Sequence, residues 1–218
     1  MMVTVKKKIG IVASGSGSNA EAIMEACRSG ILRGLAEVGV LLCNKRGALC
    51  LERAKKFNVP GILVESDGFK GTREDFDRSL VKEMKVRNVD VVCFAGYMRL
   101  VSPYFLQQYV GRVMNIHPAL LPSFQGMHAH KDALAYGVKV SGCTVHFVDE
   151  KTDHGPIIIQ KAVPVYDDDT EETLGSRVLK YEYKIYPQAI KWFAEGKLEI
   201  KDRIVKIKNG EDKTLVLE

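Results

Sequence analysis

The chain has 218 residues and no apolar run near the roughly 20 that cross a bilayer, and its amino terminus shows neither the core nor the cleavage site of a signal peptide. Membrane and secretory classes are thereby set aside, and the cytoplasm is the expected compartment. Disulfide frameworks and zinc modules are equally unsupported. The five cysteines, Cys27, Cys43, Cys50, Cys93 and Cys143, are odd in number, scattered, without metal-ligand spacing and mostly set in apolar segments, so they read as reduced core residues. Internal repeats, linkers and low-complexity tracts are missing too. A net charge of +5 is small and dispersed, which suits an anionic small molecule and argues against nucleic acid as partner. The only basic run, Lys6-Lys7-Lys8, reads as a solvated lead-in to the first strand. An apolar content of 46% is ample for one domain with a sizeable core.

Short β-rich runs alternate with helical periods, the pattern of crossover units around a parallel sheet. Residues 9–13, 38–43, 62–64 and 90–95 read as strands, and 20–27, 49–57 and 72–86 as helices. Within the last helix Phe76, Leu80 and Met84 recur four apart on one stripe. Beyond residue 111 the texture changes. Strands at 112–116, 142–148 and 156–165 are joined by loops rich in Gly, Pro, His and Asp. A long helix over 170–194 places Leu174, Val178, Tyr181 and Ile185 on one face, with Pro187 as a kink, and the charged stretch from Lys197 reads as a hairpin. The expected class is α/β: a single doubly wound, mostly parallel, Rossmann-like sheet flanked by helices, with a mixed C-terminal part.

Chemistry concentrates in Asn115-Ile116-His117-Pro118-Ala119-Leu120-Leu121-Pro122 and in the later Asp153-His154-Gly155-Pro156. Asn115 and His117 are two apart on an extended segment and so share a face, and two prolines stiffen the exit. An amide and an imidazole side by side suit a polarised carbonyl, the first bonding its oxygen and the second moving a proton near neutral pH. Asp153, projecting from a Gly-Pro turn, is the candidate carboxylate to orient the imidazole. Together they suggest acyl or formyl transfer. The competing reading is an ordinary strand end with a structural histidine and a surface turn aspartate.

The second feature is Ser14-Gly15-Ser16-Gly17-Ser18-Asn19-Ala20, a glycine-rich turn between the first strand and first helix. Glycines let the backbone approach an anion, and the amides at the helix start attract it, so a phosphate is expected here. Ser18 and Glu21 also have the spacing of a capping box. Gly15, Gly17 and Ala20 fit a Gly-x-Gly-x-x-Ala dinucleotide fingerprint, which makes an oxidoreductase the rival. The acidic residue that NAD requires at the end of the second strand is missing, since Asn44-Lys45-Arg46 stands there and suits only NADP. A dinucleotide enzyme also leaves Asn115, His117 and Asp153 without a role, so a monophosphate is the preferred ligand.

These residues resemble the phosphoribosylglycinamide formyltransferase family over about residues 8–195. The most specific segments are Ser-Gly-x-Gly-Ser-Asn at 14–19, Ala95-Gly96-Tyr97-Met98-Arg99, the Asn115-x-His117-Pro118 stretch with Leu120-Leu121-Pro122, and Asp153-x-Gly155-Pro156. The wider formyltransferase group shares the middle two, including formyltetrahydrofolate deformylase and the enzyme that formylates initiator methionyl-tRNA; those relatives carry a further domain for which this chain has no spare length. A deformylase-like hydrolase, an NADP-dependent oxidoreductase and a non-catalytic phosphate-binding module are the alternatives.

The resemblance implies a single formyltransferase domain, with a ribonucleotide-binding half over 1–100, a folate-binding and catalytic half over 101–195 and a tail over 196–218. It implies small-molecule substrates, glycinamide ribonucleotide and 10-formyltetrahydrofolate as co-substrate, no metal, and a monomer or homodimer. The substrate phosphate would lie against Gly17, Ser18 and Asn19, and Glu182, at the helix edge, would hold the ribose. Asn115, His117 and Asp153 would be catalytic. The folate would contact Arg73, Met98, Arg99, Leu100, Val101, Asn115, Asp149 and Asp153. Two departures bear on this: Leu179 stands where relatives often carry a long polar side chain, with Lys180 as a substitute, and Gln125 replaces a lysine or proline. His128 and His130 lack a carboxylate or cysteine at ligand spacing, so metal binding is not expected of them. His146, within a strand, reads as a core residue able to pack beside His117 and receives no role.

Overall fold

Apolar and β-branched runs in the first half of the chain become β1 (Lys7–Ala13), β2 (Ala36–Cys43), β3 (Gly61–Leu63) and β4 (Val91–Phe94). The computed structural model describes residues 6–208, and the chain divides into two units, Met1–Met114 and Asn115–Glu218. In the first unit the strands run in the order β3-β2-β1-β4, every pair parallel. Parallel neighbours require crossover connections, and helices α1 (Ser18–Arg28), α2 (Leu49–Lys56) and α3 (Arg73–Val86) supply them. Ile9, Ile11 and Val12 of β1 and Phe76, Leu80 and Met84 of α3 are wholly buried, so the stripe expected of that helix is its core face. A capping box starts α3, with Asp75 N donating to Thr72 Oγ1 at 3.1 Å and Thr72 N to Asp75 Oδ2 at 2.9 Å.

The capping box expected at Ser18 and Glu21 does not form. Gly17 is the N-cap of α1, its carbonyl accepting Glu21 N at 2.9 Å, while the Glu21 carboxylate pairs with Arg53. Turn geometry decides this: Gly17 has φ 71°, and a Cβ there would stand 2.4 Å from Cys50 Cβ, so only glycine fits and Ser18 is pushed into the helix. A short helix absent from the sequence expectation, α4 (Pro103–Gln108), follows β4 with Ser102 as cap and proline in its first turn.

The second unit is mixed, as expected of the C-terminal part. β5 (Val113–His117) runs through the division; β6 (Val140–Phe147), β7 (Ile157–Pro164), β8 (Leu198–Lys201) and β9 (Ile204–Ile207) follow in the order β5-β6-β7-β9-β8. β6 and β7 are antiparallel, β7 and β9 parallel, and β8 and β9 form the expected hairpin; any part of it beyond residue 208 lies outside the described residues. A second unanticipated helix, α5 (Ala129–Tyr136), buries only the small side chains of Ala129 and Ala133. The long helix α6 (Glu171–Ala194) starts at a Thr170–Thr173 capping box and buries Leu174, Val178, Ile185, Tyr186 and Trp192, with Pro187 inside it. Arg177 braces its first turn with a forked pair to Asp169, 2.6 and 2.7 Å. Among the described residues no helix is long and apolar enough to cross a membrane.

Candidate active site

β5 ends in the pair Asn115 and His117, whose side chains emerge on one face as the strand period dictates. The chain leaving this strand is clamped from behind. Thr144 on β6 donates to Ala119 O at 2.7 Å and accepts from Leu121 N at 3.1 Å, while Gln160 on β7 donates to Leu121 O at 2.9 Å and to Thr144 Oγ1 at 3.0 Å. Past the cis Leu121–Pro122 bond the loop returns Phe124, at φ 52°, so that its carbonyl meets His117 Nε2 at 2.8 Å. Asp153 sits on the β6–β7 loop at φ 46°, a left-handed conformation rare for residues other than glycine and concentrated at functional sites. Gly155 allows that loop to close, because a Cβ there would meet Phe147 O at 1.9 Å. The loop is also tied at its rim, where His154 Nδ1 lies 2.7 Å from Asp149 Oδ2 and Arg203 Nη2 donates to His154 O at 2.7 Å.

Asp153 is the hub of the resulting cluster. Its Oδ2 accepts Gly126 N at 2.9 Å and lies 3.3 Å from His117 Nδ1; its Oδ1 lies 3.4 Å from Asn115 Nδ2 and 3.7 Å from His146 Nε2. Two main-chain carbonyls assign the imidazole hydrogens, since a carbonyl only accepts. His117 therefore carries hydrogen on Nε2, facing Phe124 O, and His146 on Nδ1, 2.9 Å from Phe147 O. It follows that His146 Nε2 accepts from Asn115 Nδ2 at 3.2 Å. It follows also that a proton on His117 Nδ1 makes the ring cationic and turns its contact with Asp153 into an ion pair.

Burial is the largest influence on His117 and pushes its pKa below the ordinary value; the Asp153 charge and the Phe124 carbonyl oppose this without reversing it. Burial also pushes Asp153 upward, but the hydrogen bond from Gly126 N–H and the nearby His117 and His146 imidazoles outweigh it and hold the carboxyl below its usual range. The deprotonated pair is thus the resting state: an ionised carboxylate beside a neutral imidazole with an open proton site between them.

The other expected residues are distributed as follows. Gly17, Ser18 and Asn19 form the turn at the start of α1, with Gly15 O accepting Cys50 N at 3.1 Å beneath it. In the first unit, Met98 and Leu100 stand 56% and 55% exposed, Val101 is half-buried, Arg73 is exposed at the start of α3, and the Arg99 guanidinium lies 4.6 Å from the Phe76 ring centre. Asp149 lies on the same loop as Asp153. Glu182 is not at a helix edge: it is buried, because it falls four residues after Val178 and four before Tyr186, on the core stripe of α6. Lys180 is exposed, and the cation buried on this side of the second unit is Lys161, whose charge and that of Glu182 both bear on the Cys143 thiol. Gln125 is exposed and donates to Asp153 O at 2.8 Å. His128 caps α5 and His130 is half-buried; among the described residues no group of three or more His, Cys, Asp or Glu is placed to hold a metal ion.

Sequence reasoning passed over His146, the main-chain groups of Phe124 and Gly126, and the Thr144–Gln160 clamp. The spacing of Thr144 and His146, two apart on one strand, was the available signal for His146 and Thr144. Main-chain donors and acceptors leave none.

A parallel, doubly wound first unit, a mixed second unit and an amide–imidazole–carboxylate cluster at a strand end define a formyltransferase fold and site. The sequence matches the formyl transferase family over residues 7–190, and the chain belongs to that family. It is 41% identical over 190 residues to the phosphoribosylglycinamide formyltransferase of Escherichia coli, covering 87% of this chain and 88% of that protein. It is 42% identical over 198 residues to the trifunctional purine biosynthetic protein adenosine-3 of Chironomus tentans, covering 91% of this chain but only 14% of that much longer protein. Among solved structures, glycinamide ribonucleotide transformylase 1 from Symbiobacterium toebii superposes with a TM-score of 0.89 at 44% identity, covering 93% of this chain and 94% of the other.

Proposed function

We propose that the chain transfers the formyl group of 10-formyltetrahydrofolate to the amine of glycinamide ribonucleotide, a step of purine synthesis. The observation that carries this reading is the meeting of Asn115, His117 and His146 on Asp153, together with the near-full-length match to phosphoribosylglycinamide formyltransferases. In this reading the turn at Gly17, Ser18 and Asn19 takes the phosphate, and the exposed Met98 and Leu100 take the pterin together with Arg73, Arg99 and Val101. Asn115, His117 and Asp153 are the reacting groups, Asp149 a further folate contact and Glu182 the ribose ligand.

Attack of the substrate amine on the formyl carbon turns the carbonyl oxygen into an oxyanion. Asn115 donates to it. One of its two amide hydrogens is held by His146 at 3.2 Å, and the other makes only a 3.4 Å contact with Asp153, so the second is the one an oxyanion competes for. The amine must also shed a proton. The open site between His117 Nδ1 and Asp153 Oδ2, 3.3 Å apart, receives it directly or through water, and the imidazolium so formed pairs with Asp153 while its charge favours the oxyanion. On collapse the proton returns to the departing folate nitrogen.

A single-turnover assay with both substrates tests the reading. Formyl donor should be converted to tetrahydrofolate only when glycinamide ribonucleotide is present. Release of formate without acceptor would mean a deformylase, and oxidation of NADPH would mean the dinucleotide reading.

A further inference from the structure

Asp77 lies on α3 with 1% of its surface exposed, and its Oδ2 accepts the main-chain N–H of Ser102 at 2.5 Å. Ser102 is where the loop leaving β4 turns into α4, and its hydroxyl caps that helix through Phe105 N at 3.4 Å. The opposite end of the same loop is held by Ser14, whose N donates to Gly96 O at 3.1 Å and whose Oγ accepts Met98 N at 3.0 Å. Between these two posts the backbone presents Met98 and Leu100 outward, while Arg99 folds back over the ring of Phe76, the neighbour of Asp77 on α3.

Two large apolar side chains held outward on a loop pinned at both ends form a preformed ledge. A buried carboxylate is an expensive way to pin a loop, because its desolvation opposes folding and even raises its own pKa. Its charge has a further effect that a neutral acceptor lacks: it attracts Arg73 and Arg99, both close enough to oppose that rise. The same group thus acts on the loop backbone and on the two cations beside it.

We propose that Asp77 is a positioning residue for the formyl donor, holding the ledge at residues 98–101 in its binding conformation through the N–H of Ser102. This rests on the reading of that ledge as the pterin site. It needs no contact between Asp77 and the donor.

The experiment is steady-state kinetics with 10-formyltetrahydrofolate and glycinamide ribonucleotide for wild type, Asp77→Ala, Asp77→Asn and Leu100→Asp, with thermal melts of each. Asp77→Ala should raise the KM for the donor about tenfold, the scale of one hydrogen bond to a charged group, and leave the ribonucleotide KM within about twofold. Asp77→Asn retains an acceptor for Ser102 N–H and should recover most of the loss. If Asp77→Ala melts below assay temperature, Ser102→Pro substitutes for it, since the φ of −79° at that position suits proline and the change deletes the donor N–H. An unchanged donor KM, or a parallel rise in both KM values, overturns the inference. Leu100→Asp separates the two claims: if it leaves the donor KM unaltered, the reading of the ledge fails; if it raises that KM while the Asp77 and Ser102 variants do not, only the role of Asp77 fails.

Discussion

The amide of Asn115 and the imidazole of His146 face each other at 3.2 Å, and because His146 gives its own ring hydrogen to Phe147 O, the amide must present its NH2 side. The flip state of Asn115 is therefore set by a histidine to which the sequence assigned no role. Replacing His146 by alanine should leave Asn115 free to rotate and lower kcat by about tenfold to a hundredfold, with both KM values little changed. Steady-state kinetics decide this, and a change confined to KM would contradict it.

In the proposed mechanism Asn115 is the oxyanion donor. Asn115→Ala is expected to reduce kcat by roughly 10²- to 10³-fold. Asn115→Asp should be worse, since it removes the donor and adds a second carboxylate beside Asp153. His117→Ala should abolish most turnover while ribonucleotide binding, measured by calorimetry, persists.

Acid sensitivity follows from two imidazoles, buried His117 and half-buried His130. Burial lowers the pKa of both His117 and His130 from 6.5, so each enters the folded state deprotonated. The stability this contributes is complete above 6.5 and is lost as pH falls from there toward the lowered folded values; Asp153, lowered from 3.8, adds a similar loss only further down. Urea unfolding should show stability decreasing below that point with a slope of at most about 1.4 kcal/mol per pH unit for each group. His117→Asn and His130→Asn should each flatten the slope between neutrality and the carboxylate range.

Gly155→Ala tests whether the Asp153 loop must close as seen. The added Cβ would meet Phe147 O at 1.9 Å, so the loop has to move, and Asp153 moves with it. The expected result is a stability loss of about 1–3 kcal/mol and a fall in kcat of at least about tenfold, read by thermal melting and kinetics. Wild-type activity in this variant would mean that the loop closes differently with substrate.

Periodicity carried most of the architecture. Residues such as Phe76, Leu80 and Met84 announce α3 because large apolar side chains repeat on one face, whereas α5 stayed hidden because its buried face consists of Ala129 and Ala133. Ser18 and Glu21 have the spacing of a cap but lose to the left-handed turn at Gly17, which is imposed by the approach of Cys50. In the cluster, Asn115, His117 and Asp153 were legible from residue type and spacing, and their convergence is a matter of the β5 end and the β6–β7 loop. Glu182 was misjudged because its two tyrosine neighbours suggested a helix edge, while its position between Val178 and Tyr186 governs its burial.

The imidazoles of His117 and His146 each set one ring nitrogen against a main-chain carbonyl, Phe124 O and Phe147 O respectively. No exchange of side chain at either position deletes those acceptors as long as the backbone path is kept. The alignment of the two rings is thus insulated from side-chain exchange at positions 124 and 147, leaving those residues open to drift in size and polarity under selection for packing alone.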